Sequence, residues 1–481
     1  MLCKIALFFS LVFLSATNSL CSTNIVGFGP LYDHFKLTLA DGERTEMLGP
    51  LYYKEDVGTS SLLGIPPLFS LYRDPAIEQT EWDFAYPIMT FDKFGKEYRF
   101  QLCQVIAWSG GEGMKSGGDK KRTTLFPIYF QQRGPLPEDN YTAVFPIYGH
   151  LRNRIFRDEI FFILVPGYLQ TIKRGMVTDN YLFPIFHRRH GAGVNGWQFW
   201  PLYGTEHKVI TASTNNWGDT EIVAGHDKRS VLWPFYFKNT IGIGSTNATE
   251  QFVLIPFYTS QDSHARVSKS YGFPLGYTHT IDHEKQYEER GAPWPFIVFA
   301  HGPGKETSRV WPFYGKAKNN TLESDFYLWP VYKYNALRGE SLERERTRIL
   351  FFLYSDLVER DTTNNTAFHR RDFWPLFTWK KDRDDRSRLQ VLAPLEPLLP
   401  TNKSVERSYS PIWSLWRQEN NPRKNASSKS LLWNLYRSEE RPEYSRQSVL
   451  FGLFHREKTA GRTHWRLFFI PFNTGEKNNP D

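Results

Sequence analysis

The sequence predicts an all-β protein, folded as an antiparallel meander of about 20 strands. Three observations carry that reading. The aromatic share is 16%. A short aromatic–proline tetrad recurs along the chain, and polar stretches rich in turn formers separate its copies. Aromatic and β-branched side chains suit a pleated, half-buried surface. No sustained 3.6-residue apolar period is present, so helix is expected to be minor.

The chain opens with MLCKIALFFSLVFLSATNSLC, in which Lys4 precedes the apolar run Ile5 to Leu14 and small residues follow. That is the layout of a secretory signal peptide over residues 1–21, and the run is too short for a membrane span. Export would place Cys21 and Cys103 in an oxidising compartment, where they could pair. Cleavage just before Cys21 would instead leave that residue as a lipidation site. One all-β repeat domain is expected over 22–472, with a disordered tail over 473–481.

Tetrads begin at Gly29-Pro30-Leu31-Tyr32 and Gly49-Pro50-Leu51-Tyr52. Phe-Pro versions follow at Phe126, Phe145, Phe183 and Phe273. Trp-Pro versions stand at Trp200, Trp233, Trp294, Trp311, Trp329 and Trp374. Late copies lose the proline, as in Trp433-Asn434-Leu435-Tyr436. Steps of about 17–23 residues give roughly 20 units. Runs such as SVLWPFYF are short, aromatic and β-branched, which is a strand signal. HGAGVNG (190–196), RGPLPEDN (133–140), KKDRDDRS (380–387) and ENNPRKNASS (419–428) read as turns.

Folding 183–203 about Ala192-Gly193 sets Phe186 opposite Phe199 and Pro184 opposite Pro201. The tetrads then line up across neighbouring strands as a transverse belt: Trp200, Tyr203, Trp233, Tyr236, Trp294, Trp311, Tyr314, Trp329, Tyr332 and Trp374. A parallel solenoid would hold a tighter period than these wandering steps. Proline is the awkward residue, because it cannot donate to a ladder. A shared bulge or an edge position would accommodate it.

So long a meander must curl, close or split. The expected form is a large closed or nearly closed barrel, with a propeller or sandwich array as the alternative. Two-faced burial favours the alternative: in SVLWPFYF, Val231, Trp233, Phe235 and Phe237 would take one face, and Leu232, Pro234 and Tyr236 the other.

The repeated tetrad resembles that of secreted bacterial proteins of unassigned function with Trp-Pro-Leu-Tyr-type strand units. That resemblance implies no activity and no catalytic residue. Similarity to outer-membrane β-barrels is architectural only.

Net charge is +8, but Lys+Arg 59 and Asp+Glu 51 are mixed in most loops, which describes a charged surface rather than a nucleic-acid partner. Residues 110–121, GGEGMKSGGDKK, lack the glycine that a Walker loop needs before its Lys-Ser. His187 and His190 should face opposite sides of a strand, and His279 and His283 the same side. Asp382, Asp384 and Asp385 sit among Lys380, Lys381 and Arg383, which would repel calcium. Glu159, Glu221, Glu250 and Asp325 precede apolar runs and could serve as paired carboxylates only if the fold joined them. Exposed belt tryptophans beside Lys120-Lys121-Arg122 or Arg188-Arg189 could hold an envelope polysaccharide. Asn-x-Ser/Thr sites at Asn140, Asn247, Asn319, Asn364, Asn402 and Asn425 all fall in expected loops. No catalytic, metal or cofactor residue is assigned. The expectation is a non-enzymatic, exported cell-envelope protein, structural or transport-like at the outer membrane. A soluble periplasmic or secreted scaffold for an envelope polymer is the alternative.

Overall fold

The structure, a computed structural model, describes residue 28 and residues 30–473, except 113–118, 215–217, 451, 460–461 and 469. The signal segment with Cys3 and Cys21, the centre of the 110–121 loop and the tail beyond 473 lie outside the described residues.

The chain forms one continuous 43-stranded antiparallel sheet, plus a two-stranded hairpin of Thr211–Thr214 and Thr220–Val223. Strands are short, typically six residues as in Met176–Tyr181, Phe186–Gly191 and Val194–Phe199, or about 20 Å at ~3.4 Å per residue. Apart from the two end strands, each strand of the sheet pairs on both sides with the one before and the one after it in the chain, the small hairpin being looped out between Tyr203–Lys208 and Gly225–Val231, so the topology is a continuous meander. The turn at Ala192-Gly193 sets Phe186 opposite Phe199, as the sequence indicates. The six glycosylation-type asparagines also lie outside the strands.

The strand count of about 20 is corrected to 43, and the cause is proline. The tetrads do not lie within strands; they are the chain reversals. Tyr181 pairs with Phe186 around Leu182–Ile185, and Val231 pairs with Tyr236 around Leu232–Phe235. What reads as one aromatic strand is the end of one strand, a turn and the start of the next. The aromatic–proline bonds of the tetrads are cis, among them Phe183-Pro184, Trp200-Pro201, Trp233-Pro234 and Trp329-Pro330. Proline there is spared the ladder position it could not fill. Its carbonyl accepts from the next turn instead: Phe183 N donates to Pro166 O at 2.7 Å, Trp233 N to Pro201 O at 2.7 Å and Trp329 N to Pro312 O at 2.7 Å. The tetrads are thus neighbours in space, but along one edge of the ribbon rather than across its middle. Polar two-residue turns such as Arg174-Gly175 and Ala192-Gly193 form the other edge.

Side-chain alternation divides the ribbon into two unlike faces. On one, the row next to the tetrad edge runs Ser70, Asp83, Thr90, Gln101 near one end and Gln390, Arg417, Ser430, Arg437, Ser448 near the other. This face is concave, because its two ends meet each other. Glycine keeps it thin in places: a Cβ on Gly149 would stand 2.4 Å from the Ala143 Cβ and 2.5 Å from the Phe162 ring. Around it, Phe130, Tyr141, Ala143, Leu151 and Phe162 form a small apolar core.

The expected closed barrel does not form. Tyr32–Lys36 pairs only with Gly42–Met47, and Ile470–Asn473 only with Arg462–Leu467. The ends are tied by side chains, concave face to concave face. Arg446 is ion-paired to Asp33 at 2.5 Å and donates to the His34 carbonyl at 3.0 Å. Arg437 lies 3.2 Å from the Phe35 ring centroid. Arg441 donates to Lys36 O at 2.7 Å, and Asn421 to Thr38 O at 3.0 Å. Carbonyls of the first strand are thereby capped by side chains rather than by a partner strand, which blunts an exposed edge.

Two short helices, Lys403–Ser408 and Ser410–Trp413, plug the same seam; Asn402 caps the first by accepting from Val405 N at 3.0 Å. Arg407 bonds Glu81 at 2.7 Å, and Tyr53 donates to Arg407 O at 2.8 Å. Glu419, fully buried here, lies between Arg417 at 2.5 Å and Arg388 at 3.1 Å. Burial alone would raise its carboxyl, but the two guanidiniums hold it down at about 2.

Removing one member of a buried pair leaves the other uncompensated, at a cost of about 3–5 kcal/mol. Arg446→Ala is therefore expected to open the seam, read as faster amide exchange in Tyr32–Lys36 with exchange in Tyr168–Lys173 unchanged. Glu419 adds a pH dependence. Its folded value lies below the ordinary 4.5, so its contribution is present above about 4.5 and is lost as pH falls toward about 2. Acid titration should release the seam in that window, and Glu419→Gln should remove that step.

Candidate functional site: the turn rim

The tetrad edge is the most distinctive surface of the molecule. On the convex face, the paired positions bordering it, from Phe69 opposite Phe84 to Leu467 opposite Ile470, are Phe, Tyr, Trp, Met, Val, Ile or Leu, except at the strand Tyr287–Gly291, whose outermost convex pairs set Arg290 opposite His279 and Phe299. The turns add a second apolar layer at the tip. The seam continues the rim, since a Cβ on Gly49 would lie 2.9 Å from the Cβ of Trp433 in a turn near the far end of the ribbon.

The ten belt residues from the sequence are divided by the turns. Trp200, Trp233, Trp311 and Trp329 sit in the turns and are exposed; Trp294 and Trp374 sit in turns and are half-buried. Tyr203, Tyr236, Tyr314 and Tyr332 begin the strands that follow, on the convex face. The expected split of SVLWPFYF between two faces is corrected accordingly: Val231 and Tyr236 pair on one face, and 232–235 are turn. Rings meet along the rim at a tilt or edge-on, with Trp200 and Trp233 centroids 6.2 Å apart, Trp311 and Trp329 6.0 Å, and Phe352 and Trp374 5.5 Å. Trp374 also donates to Pro394 O at 2.9 Å.

A further group was not singled out in the sequence. Many turns open on a leucine in the left-handed region: Leu164 (φ 47), Leu182 (φ 48), Leu232 (φ 47), Leu328 (φ 46) and Leu350 (φ 47). For a residue with a Cβ, that conformation costs roughly 1–2 kcal/mol, and glycine would avoid the cost. The leucines do not recover it by burial. Leu164 is 65% exposed, Leu182 61% and Leu328 59%. Their amides are used, Leu182 N donating to Gly167 O at 2.8 Å, but glycine could make the same bond.

The other candidates are scattered. His187 is on the concave face, whereas His190 turns to the convex side, 3.3 Å from Asp179. His279 lies in Tyr277–Asp282 and bonds Glu288 at 2.7 Å, but His283 falls past that strand's end, so the two do not share a strand face. Glu159 is bound by His150 at 2.6 Å, Glu221 is in the two-stranded hairpin, and Glu250 and Asp325 are on separate convex-face strands. The four carboxylates are not brought together. Asp382, Asp384 and Asp385 form a turn held by Arg386, Arg423 and Lys381. No cluster of three or more His, Cys, Asp or Glu suited to a metal occurs among the described residues. Cys103 is exposed in the turn before Ile106–Gly110. Glu206 is the best-connected acid on the concave face, between Arg189 at 2.7 Å, His226 at 2.6 Å and Lys228 at 3.0 Å. Burial opposes its charge, yet Arg189 and Lys228 bring its carboxyl down to about 2, as expected of a structural ion cluster.

Leu164→Gly, Leu182→Gly and Leu328→Gly follow from the rim geometry. Each is expected to leave stability unchanged or raise it by up to about 1 kcal/mol in urea unfolding. A leucine that supported the fold would instead cost about 2–5 kcal/mol on truncation. No protein-family model matches this chain, and no curated protein matches it.

Proposed function

We propose that this is a non-enzymatic, exported cell-envelope protein, structural or transport-like at the outer membrane, whose turn rim seats in one face of a bilayer. The carrying observation is the row of exposed left-handed leucines. A residue type that costs folding energy and leaves apolar surface in water gains nothing within the chain, so its benefit lies with an apolar partner. Leucine, tryptophan and tyrosine at the tip of a basic protein suit the interfacial region of a membrane. The strands limit how deep it sits. Walls about 20 Å tall, apolar only near one end, cannot cross a hydrocarbon core of about 30 Å. The concave face, polar over most of its length, would line an aqueous space above the bilayer. Residues 1–21, with their signal-peptide layout, supply the route of export.

A second reading is a soluble periplasmic or secreted scaffold for an envelope polymer. It is favoured by one observation, a cavity near the rim walled by Phe296, Trp311 and Trp329, whose rings could stack on sugars.

Cell fractionation separates the two. Release only by detergent supports the membrane reading; release by osmotic shock supports the soluble scaffold. On purified protein, flotation with lipid vesicles is expected for the wild type. It should be lost in the variant combining Leu164→Asn, Leu182→Asn, Leu232→Asn and Leu328→Asn, each of which forfeits up to about 1.5–3 kcal/mol of apolar burial.

A further inference from the structure

On most of the concave face, cations are matched by nearby carboxylates. One stretch is not. The strand Leu342–Ile349, LERERTRI, sets Arg344, Arg346 and Arg348 on the concave side. Arg344 is satisfied by Glu359 at 3.2 Å. The other two face neutral or like-charged neighbours: Arg346 stands opposite Asn335 and Leu357, and Arg348 opposite Lys333 and Ser355. Like charges directly across a sheet destabilise it. Three strands before Lys333, beyond Phe326 and Gly315, Arg309 points to the same side.

Arg309, Lys333, Arg346 and Arg348 make no ion pair and no side-chain hydrogen bond to any described residue. The Nε atoms of Arg309, Arg346 and Arg348 are buried without a partner, as is Asn335 Oδ1, while Asn335 Nδ2 donates to Ser324 at 3.0 Å. The carboxylates facing this region are already engaged, Glu359 by Arg344 and Asp372 by Arg370 at 2.9 Å. Arg346 is disfavoured as a cation first by burial and then by Arg348 and Arg344, and Asp372 offsets this only in part.

Two of these cations, Arg309 and Lys333, line a cavity of about 390 Å³ together with Ser324, Phe326, Trp311, Trp329, Pro295 and Phe296; Arg348 is paired across from Lys333, and Arg346 lies two residues along the same strand. The volume suits a small molecule. Gly315 helps to keep it open, since a Cβ there would stand 2.3 Å from the Phe326 ring. One side therefore offers guanidinium and ammonium donors, and the other offers rings from the rim.

We infer that this hollow binds a phosphorylated compound, its phosphate held by Lys333 with Arg348 opposite it and Arg346 two residues further along, and its sugar or acyl body against Trp311 and Trp329. Guanidinium forks match a phosphate's oxygens, and such charge-assisted bonds are the strong ones. Sugars and apolar chains both pack on indole rings. The phosphate could come from a free sugar phosphate or from a lipid headgroup, and the site stands whether or not the rim meets a bilayer.

Titration calorimetry with glucose 1-phosphate and with glucose tests the inference on the full chain. Binding of the phosphate ester but not of glucose is expected, with R346Q/R348Q weakening it by at least about tenfold. Equal affinity for both compounds, or wild-type affinity in R346Q/R348Q, overturns it. A melting-temperature scan of the wild type guards against a variant that does not fold. Glucose 1-phosphate should raise the melting temperature above that in equal ionic strength of chloride, and no rise overturns the site. Phosphatidylcholine vesicles with and without phosphatidic acid identify the source. Capture by the phosphatidic acid vesicles that glucose 1-phosphate competes away supports a headgroup. Calorimetric binding without such capture supports a soluble ligand, and neither calorimetric binding nor capture overturns the inference.

Discussion

The structure depends on how the turns bond to one another. In an antiparallel ribbon every second reversal lies on the same edge, and here those reversals stack. Each opening amide donates to the turn before it, as Leu232 N does to Leu202 O at 2.8 Å and Leu164 N to Ile147 O at 2.7 Å. The proline carbonyl takes the next amide in the row. Because side chains alternate with a period of two, a slip of one residue would send every apolar border residue to the other face. The stacked turns pin the register once per hairpin, and the meander inherits it over its whole length.

Much else follows from that edge. It concentrates aromatic and aliphatic residues at one end of short strands, leaving the concave face free to be polar. A polar concave face cannot close by hydrophobic collapse, so the two ends are joined by polar contacts such as the buried ion pair of Asp33 with Arg446, and Glu419 with Arg417 and Arg388 forms a buried ion cluster on the wall facing that seam. Burial of such groups is costly unless all partners are present, which makes the seam specific in geometry and sensitive to acid.

What could be read in advance was the local chemistry. Ala192-Gly193 carries its own turn signal, and the pairing of Phe186 with Phe199 was recoverable from it. The all-β class and the side-by-side tetrads were legible for the same reason. The doubling of the strand count is masked in the sequence because Trp, Phe, Tyr and Val have strand propensity on both sides of the proline. Proline's missing donor was the stronger signal: it excludes a central ladder position but suits a reversal. The seam was not legible, since Asp33 and Arg446 carry no mark linking them across the chain. The alternating arginines of LERERTRI are visible as a pattern, but the lack of acidic partners for Arg346 and Arg348 depends on which residues Tyr332–Arg338 and Tyr354–Asp361 place opposite them.

The central claim is that the apolar surface ends at a rim and does not wrap the strands. Single cysteines placed through 178–190 and labelled with an environment-sensitive dye test it in the presence of lipid vesicles. Blue-shifted emission confined to labels at Leu182, Phe183 and Ile185, with the rest of both strands unshifted, is the expected result. A shift at every second position along the full strands would mean a wall that spans the bilayer, and no shift anywhere would mean that the rim meets no apolar phase; either contradicts the account.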